Sequence, residues 1–75
     1  MPRFKNKHLE QSYQHALANH ATLYREPGHA GTSQREAYSR GYRNEQCLYS
    51  RDSLSYTHYA AGKRNAANRK SEEPK

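Results

Sequence analysis

Apolar positions recur at helical spacing along the first third of the chain. Between His8 and Tyr24 they follow three- and four-residue steps, at Leu9, Tyr13, Ala16, Leu17, His20 and Tyr24. Because residues three and four apart share one face of a helix, this spacing predicts a first helical unit over residues 8–25. Pro27 and Gly28 interrupt the pattern, so residues 26–32 are predicted to form a loop.

A second predicted helix follows this loop, where Ser33 to Glu36 reads S-Q-R-E, the form of a capping box. In that motif the serine hydroxyl and the glutamate carboxylate satisfy free backbone amides of the first turn. The helix is expected to begin at about Gln34 and to end near Cys47. Gly41 in its middle costs about 1 kcal/mol relative to alanine, which indicates a close backbone approach or a turn at that position.

A third helix is predicted after Asp52 or Ser53, either of which can cap it. Its last turns are basic, which suits the negative end of a helix dipole. The second and third helices together form a predicted helix-elbow-helix unit over residues 33–70. A basic arm over residues 1–7 and a disordered tail over residues 71–75 flank the two units.

Composition favours an all-α fold with a small core. The chain has five leucines, one phenylalanine and nine alanines, and it has no isoleucine, valine or tryptophan. Strands are disfavoured without β-branched aliphatic residues, whereas alanine and the long polar side chains favour helix. Seven tyrosines must then supply much of the buried surface. We therefore predict two or three short helices around a tyrosine-rich core, with flexible basic termini.

Tyrosines and small residues also recur as a repeated phrase. The phrase is Tyr-x-x-Ala/Gly, followed by a second tyrosine eleven positions after the first. It runs from Tyr13 to Tyr24 and from Tyr38 to Tyr49, and its opening occurs again from Tyr59 to Gly62. This repetition predicts one aromatic-and-small helical unit used several times, none of which buries its face alone.

The formal net charge of +6 points to a polyanionic partner, because neutralising phosphates releases counterions and attracts the protein at long range. One cysteine cannot form an internal disulfide, and no apolar run resembles a signal peptide or a membrane-spanning helix. We therefore expect a cytoplasmic protein without a membrane partner.

Basic residues alternate with tyrosines through the second half of the chain. Tyrosine rings and arginine planes stack on unpaired bases, and guanidinium groups bind phosphates. The predicted RNA-binding residues are Arg40, Arg43, Arg51, Lys63, Arg64, Arg69, Lys70, Tyr42 and Tyr49. Arg43, Arg51 and Arg64 are expected to be the best contacts, because they flank the elbow and the final glycine turn.

Catalytic and metal chemistry is not expected. The five histidines and Cys47 match no zinc spacing, since there is no cysteine pair and no H-x-x-x-H. No glycine-rich phosphate loop or paired carboxylate occurs, and so small a chain is a poor frame for a nucleophilic site. The sequence therefore predicts no enzyme activity, no cofactor, no metal and no small-molecule substrate.

The order of motifs between Ser33 and Ala66 carries a family resemblance. Ala-x-x-x-Gly-Tyr is followed by Cys-x-Tyr and then by an aromatic residue with x-x-Gly, x-Arg and x-Ala. The positions are Ala37, Gly41, Tyr42, Cys47, Tyr49, Tyr59, Gly62, Arg64 and Ala66. This stretch resembles the ribosome modulation factor family of small basic bacterial proteins. The chain departs from the family at Leu48, which replaces an elbow proline, at Tyr59, where tryptophan is usual, and in a shorter spacing from Gly41 to Cys47.

The resemblance implies two helices joined by a linker, binding to ribosomal RNA of the small subunit, and inactivation of ribosomes rather than catalysis. Two other functions stay open. One is a small phage or plasmid protein-interaction module that inhibits a host protein, with tyrosines as hot spots. The other is non-specific DNA binding through basic helices.

Overall fold

The computed structural model describes residues 4–19, 24 and 32–72, with side chains up to residue 69, and three helices lie within residues 4–19 and 32–72. They are α1 (Lys7–Ala18), α2 (Thr32–Tyr42) and α3 (Leu54–Glu72). These ranges contain no strand, which confirms the predicted all-α class. Several predicted segments lie outside the described residues: 1–3 of the arm, 20–23 and 25 of the first unit, 26–31 of the loop, and 73–75 of the tail.

Asparagines bound α1 at both ends. The side chain of Asn6 accepts a hydrogen bond from the Leu9 N–H at 3.0 Å, as an N-cap residue does. At the other end the Asn19 N–H donates to the His15 carbonyl at 2.9 Å, and the backbone of Asn19 leaves the helical region. The helix therefore ends at Ala18, well before the end of the first helical unit predicted over residues 8–25, because asparagine bonds to backbone in ways that compete with helix.

The predicted basic arm is partly packed. The Phe4 ring lies 5.1 Å from the Tyr13 ring and 6.2 Å from the Tyr56 ring, centroid to centroid. Lys5 also forms an ion pair with Asp52, at 3.1 Å. Residues 4–7 therefore join the start of α1 to the core, which the spacing of apolar positions did not indicate.

The start of α2 differs from the predicted capping box. The helix begins at Thr32, so Ser33 lies within its first turn and does not cap it. The Glu36 carboxylate, expected to bond the backbone at the helix start, accepts from the Arg40 guanidinium at 2.8 Å instead. An ion pair one turn along the helix takes the carboxylate away from the cap.

The end of α2 comes at Tyr42 rather than near Cys47. Asn44 has a φ of 59°, in the left-handed region, and its N–H donates to the Gly41 carbonyl at 3.0 Å. The Glu45 N–H donates to the Arg40 carbonyl at 2.9 Å. These two bonds form a Schellman motif, which ends a helix and frequently uses asparagine when glycine is not present.

Ser53 caps α3, as one of the two predicted candidates. Its hydroxyl oxygen accepts from the Tyr56 N–H at 3.1 Å and donates to the Ser50 carbonyl at 2.7 Å. The helix continues through Glu72, into the predicted disordered tail. It is the central element of the fold, because it packs against both α1 and α2.

Two glycines allow α2 and α3 to touch through their backbones. A Cβ atom at Gly41 would overlap the Tyr59 carbonyl oxygen and lie 2.9 Å from its carbon. A Cβ atom at Gly62 would overlap the Tyr38 carbonyl oxygen and lie 3.0 Å from the Tyr42 nitrogen. The close approach predicted from Gly41 is therefore present, and Gly62 is its counterpart on the facing helix.

The repeated phrase corresponds to the packing of the core. Each helix contributes a buried tyrosine and a buried small residue three positions later: Tyr13 and Ala16, Tyr38 and Gly41, Tyr59 and Gly62. The second tyrosine of each phrase contacts the first tyrosine of the next. Tyr24 stacks on Tyr38 with 4.0 Å between ring centroids, and Tyr49 lies against Tyr59 at 6.0 Å.

Candidate functional site

The elbow segment, residues 43–53, covers one face of α3. Its path is fixed at the start by the Schellman motif around Asn44 and at the end by the Ser50–Ser53 turn. Between them the Tyr59 hydroxyl donates a hydrogen bond to the backbone carbonyl of Glu45. The elbow is therefore attached to α3 by a side chain that also belongs to the core.

An open cleft of about 820 Å³ lies between the elbow segment and α3. Its α3 wall consists of residues at three- and four-residue spacing, which share one helix face: Tyr56, Tyr59, Ala60, Lys63 and Arg64. The elbow supplies the facing wall, including Cys47, Tyr49 and Arg51, and α1 supplies Tyr13. The cleft is thus built by side chains from three separate parts of the chain.

Three cationic side chains surround this cleft, and all are exposed: Arg51, Lys63 and Arg64. No carboxylate of the described residues forms an ion pair with any of them. The Lys63 ammonium lies 5.7 Å from the centroid of the Tyr59 ring, a distance at which cation and ring attract each other. The cleft therefore presents three cations, together with the Glu45 carboxylate on its elbow wall, beside aromatic surface.

Tyrosine rings form the rest of the cleft wall. Tyr49 and Tyr56 are half-buried, so part of each side chain is accessible, whereas Tyr59 is buried. Tyr49 lies against Tyr59 with an angle of 58° between the rings. Tyrosine presents an apolar ring together with a polar hydroxyl, and these partly exposed rings are suited to stacking against a flat ligand.

Tyr13 lines this cleft, and its buried hydroxyl has no hydrogen-bond partner among the described residues. The residue as a whole is 1% exposed. Burial raises the pKa of this hydroxyl, and the nearby positive charge of Arg64 opposes the rise. The hydroxyl is therefore protonated at neutral pH and keeps both a donor and an acceptor available.

Two of the predicted RNA contacts are held by carboxylates. Arg43 pairs with Glu45 at 2.6 Å, and Arg40 pairs with Glu36 at 2.8 Å and approaches Glu45 at 3.9 Å. Hydrogen bonding and charge from Glu36 raise the pKa of Arg40. Arg43 was predicted from sequence to be among the best contacts, and the turn at Asn44 is what brings Glu45 to it.

The remaining predicted RNA contacts do not line the cleft among the described residues. Two of them lie on another surface, and the side chain of the third is not described. Arg69 donates to the Tyr42 hydroxyl at 3.1 Å, on a shallow surface that also includes Tyr38 and Arg43. The side chain of Lys70 lies outside the described residues. The structure therefore brings Tyr49, Arg51, Lys63 and Arg64 together and places Arg40, Arg43, Tyr42 and Arg69 elsewhere.

The residues of the predicted structural motif fall into two places. Ala37, Gly41 and Gly62 are buried where α2 and α3 pack together, and Ala66 is half-buried further along α3. Cys47 and Tyr59 line the cleft, where the Cys47 thiol lies 3.6 Å from the Tyr49 carbonyl.

Sequence reasoning missed Tyr13 and Tyr56 as parts of this site. Tyr56 lies three residues before Tyr59, a spacing that would have placed both on one face of a third helix. Tyr13 carried no comparable signal, because its place at the cleft depends on how α1 packs against α3.

Within the described residues, no group of histidine, cysteine, aspartate or glutamate side chains is arranged to hold a metal ion. None of the helices in the same residues is long and apolar enough to cross a membrane. In comparisons with known proteins, the chain matches no protein-family model, no curated protein and no solved structure. The likeness to ribosome modulation factors accordingly rests on the order of the residues quoted for it.

Proposed function

We propose that this protein is a non-enzymatic RNA-binding regulator that docks on small-subunit ribosomal RNA in the cytoplasm and modulates or inactivates translation. The observation that carries the proposal is the cleft, where Arg51, Lys63 and Arg64 have no carboxylate partner among the described residues and lie beside partly accessible tyrosine rings. The choice of the ribosome as the RNA partner is supported by the motif order from Ala37 to Ala66.

Unpaired cations favour phosphate binding at the cleft over the surface around Arg43. A phosphate that approaches Arg43 must displace Glu45 or remain beside its negative charge. Glu45 also lines the cleft, but no described carboxylate is paired with Arg51 or Arg64, so a phosphate that binds them breaks none of the ion pairs of the described residues, and the counterions released by the RNA contribute to affinity. The cleft is therefore the stronger phosphate-binding surface of the two.

The tyrosines add a contribution to RNA affinity that does not depend on the base sequence of the RNA. Stacking of a base on an aromatic side chain is worth about 1–3 kcal/mol. It tolerates any base, because every base has a π face. Tyr49 and Tyr56 are half-buried around the same cleft as the cations, so one strand can contact rings and cations together. This combination is typical of proteins that bind single-stranded nucleic acid.

Two matched double variants test the proposal. Arg51→Ala with Arg64→Ala removes two cations from the cleft, and Arg40→Ala with Arg43→Ala removes two cations that carboxylates already hold. Tagged protein in a bacterial lysate is sedimented through sucrose gradients at low and moderate salt, with and without nuclease. We expect wild type and the Arg40/Arg43 variant to migrate with small subunits or ribosomes at moderate salt. The Arg51/Arg64 variant should remain near the top of the gradient.

Circular dichroism of both variants shows whether helix content is kept, so that a loss of binding is not a loss of fold. Wild-type protein that stays at the top of the gradient would contradict the ribosome as partner. Equal behaviour of the two variants would contradict the assignment of the cleft as the RNA surface.

A protein-interaction module is the second candidate, and Leu48 is the observation that favours it. Leu48 is 65% exposed on the elbow segment, next to Tyr49. An exposed leucine offers apolar surface that a protein partner can bury, and it adds nothing to phosphate binding. Capture of one stoichiometric protein that survives nuclease and is lost in Leu48→Ser would support this candidate in place of the first.

A further inference from the structure

The buried hydroxyl of Tyr13 requires a physical explanation. Buried polar groups in folded proteins almost always have a hydrogen-bond partner, because an unpaired one keeps the full cost of its lost hydration. Tyr13 is 1% exposed, and none of the described residues bonds its hydroxyl. The same residue forms part of the cleft that holds the unpaired cations.

On the basis of the proposed RNA binding, we infer that this cleft is the seat of one unstacked nucleotide, with the Tyr13 hydroxyl bonded to the polar edge of its base. The phosphate lies against Arg51 and Arg64, and the base lies beside Tyr49 and Tyr56. This inference deepens the proposed function by naming the part of the RNA that enters the protein.

The size of the cleft agrees with such a ligand. Its volume of about 820 Å³ lies within the range of roughly 300–1,000 Å³ usual for small-ligand sites. Arginine and lysine side chains suited to a phosphate surround it, and it contains aromatic rings and one buried hydroxyl. This distribution of polar and aromatic groups matches the distribution of charge and ring surface in a nucleotide.

The chemistry of the hydroxyl selects a base rather than a second phosphate. A neutral phenol both donates and accepts a hydrogen bond, and base edges carry acceptors and donors in the ring plane. Those edges are available only when the base is unpaired, since pairing occupies them in a duplex. The nucleotide can come from a single strand of RNA or from a free mononucleotide, and both sources offer the same groups.

Tyr13→Phe tests the inference, because it removes the hydroxyl and keeps the ring that packs on Phe4. The control is Tyr38→Phe, which removes a hydroxyl that accepts from Asn65 at 3.1 Å and does not line the cleft. Fluorescence anisotropy measures binding to a mixed-sequence single-stranded RNA of about ten nucleotides, a length typical for such proteins, and to the matching duplex. Competition by adenosine monophosphate identifies the source.

We expect wild type to prefer the single strand over the duplex. Tyr13→Phe should weaken binding to the single strand roughly fivefold, the loss that corresponds to one neutral hydrogen bond. Tyr38→Phe should bind like wild type. Displacement of the strand by adenosine monophosphate would show that the site also binds free nucleotides. Failure to displace the strand would show that the site binds a nucleotide only as part of a strand.

Three results separate the inference from the proposed function. If Tyr13→Phe binds the single strand like wild type while the Arg51/Arg64 variant is weakened, the inference is overturned and the proposed function stands. If neither variant is weakened, both are overturned. A melting temperature lower in Tyr13→Phe than in wild type would show that the fold itself uses the hydroxyl, and that result also overturns the inference.

Discussion

Two pairs of tyrosines arise from the same sequence phrase and have different surroundings. Tyr24 stacks on Tyr38 with 4.0 Å between centroids and 24° between rings, and its hydroxyl bonds to Nδ1 of His58. Tyr49 meets Tyr59 at 6.0 Å and 58°, on the wall of an open cleft. Each pair has one half-buried and one buried ring, but the first pair is closely stacked and the second lines an open cleft.

The charges around the two tyrosine pairs also differ. Around the first pair, burial raises the pKa of Tyr24 and lowers the pKa of His58 to about 4, so both of these side chains are neutral at pH 7. The second pair has the Lys63 ammonium over the Tyr59 ring. One packing phrase thus serves the core at the first pair, and we propose that it serves RNA at the second.

The largest expected effect is a loss of stability that disturbs both tyrosine pairs together. Gly41→Ala places a methyl group on the Tyr59 carbonyl, directly between the two helices that carry the tyrosines. Alanine is the better helix former by about 1 kcal/mol, yet we expect a net loss of about 3 kcal/mol in the free energy of unfolding, because two backbones must separate.

Chemical denaturation followed by circular dichroism measures this loss. Ser39→Ala, at an exposed position of the same helix, is the control and should change stability little. Stability equal to wild type in Gly41→Ala would show that the helices do not touch at this point.

A pair of variants distinguishes the two tyrosine regions. Tyr24→Ala should cost about 2 kcal/mol of stability, because it removes a stacked, half-buried ring, and it should leave RNA affinity unchanged. Tyr49→Ala should lower affinity for single-stranded RNA roughly tenfold, the loss of one stacked base, with a smaller loss of stability.

Denaturation curves and anisotropy titrations on both variants complete this comparison. If Tyr24→Ala loses RNA affinity and Tyr49→Ala does not, the assignment of the two regions must be exchanged. If both variants lose only stability, neither ring meets the RNA.

Local signals predicted the backbone of this fold better than its surface. Gly41 indicated a close helix approach, and Ser53 indicated a cap, because each requirement is a property of a few neighbouring residues. Asn44 was also a sequence signal for the Schellman turn, because asparagine can adopt the left-handed conformation that ends a helix. The prediction did not use this signal, so it extended the second helix to Cys47. That extension hid the ion pair between Arg43 and Glu45, which depends on the geometry of the turn.

The candidate site required information that is not local. Tyr13 comes from the first part of the chain, and its place at the cleft depends on how α1 packs on α3. The spacing of arginines and tyrosines identified basic and aromatic surface, but it could not show which arginines already have carboxylate partners. The choice of Arg51 and Arg64 over Arg40 and Arg43 therefore comes from the structure.

The first tyrosine region also predicts how stability changes with pH. His58 is 6% exposed, and burial, with a smaller contribution from the charge of His15, lowers its pKa to about 4 from the usual value near 6.5. Below pH 6.5 the unfolded chain therefore binds a proton that the folded protein does not bind. The free energy of unfolding should fall by about 2 kcal/mol from pH 7 to pH 5, and this contribution should stop changing below about pH 4.

Urea denaturation at several pH values measures this slope. His58→Gln should be less stable than wild type at pH 7, because it disturbs the contact with Tyr24, yet its stability should depend less on pH. His8→Gln, at an exposed position, is the matched control and should keep the wild-type slope. An unchanged slope in His58→Gln would mean that His58 is solvated in the folded protein, and the contrast between a tyrosine pair beside a buried neutral histidine and one beside an exposed ammonium would then be lost.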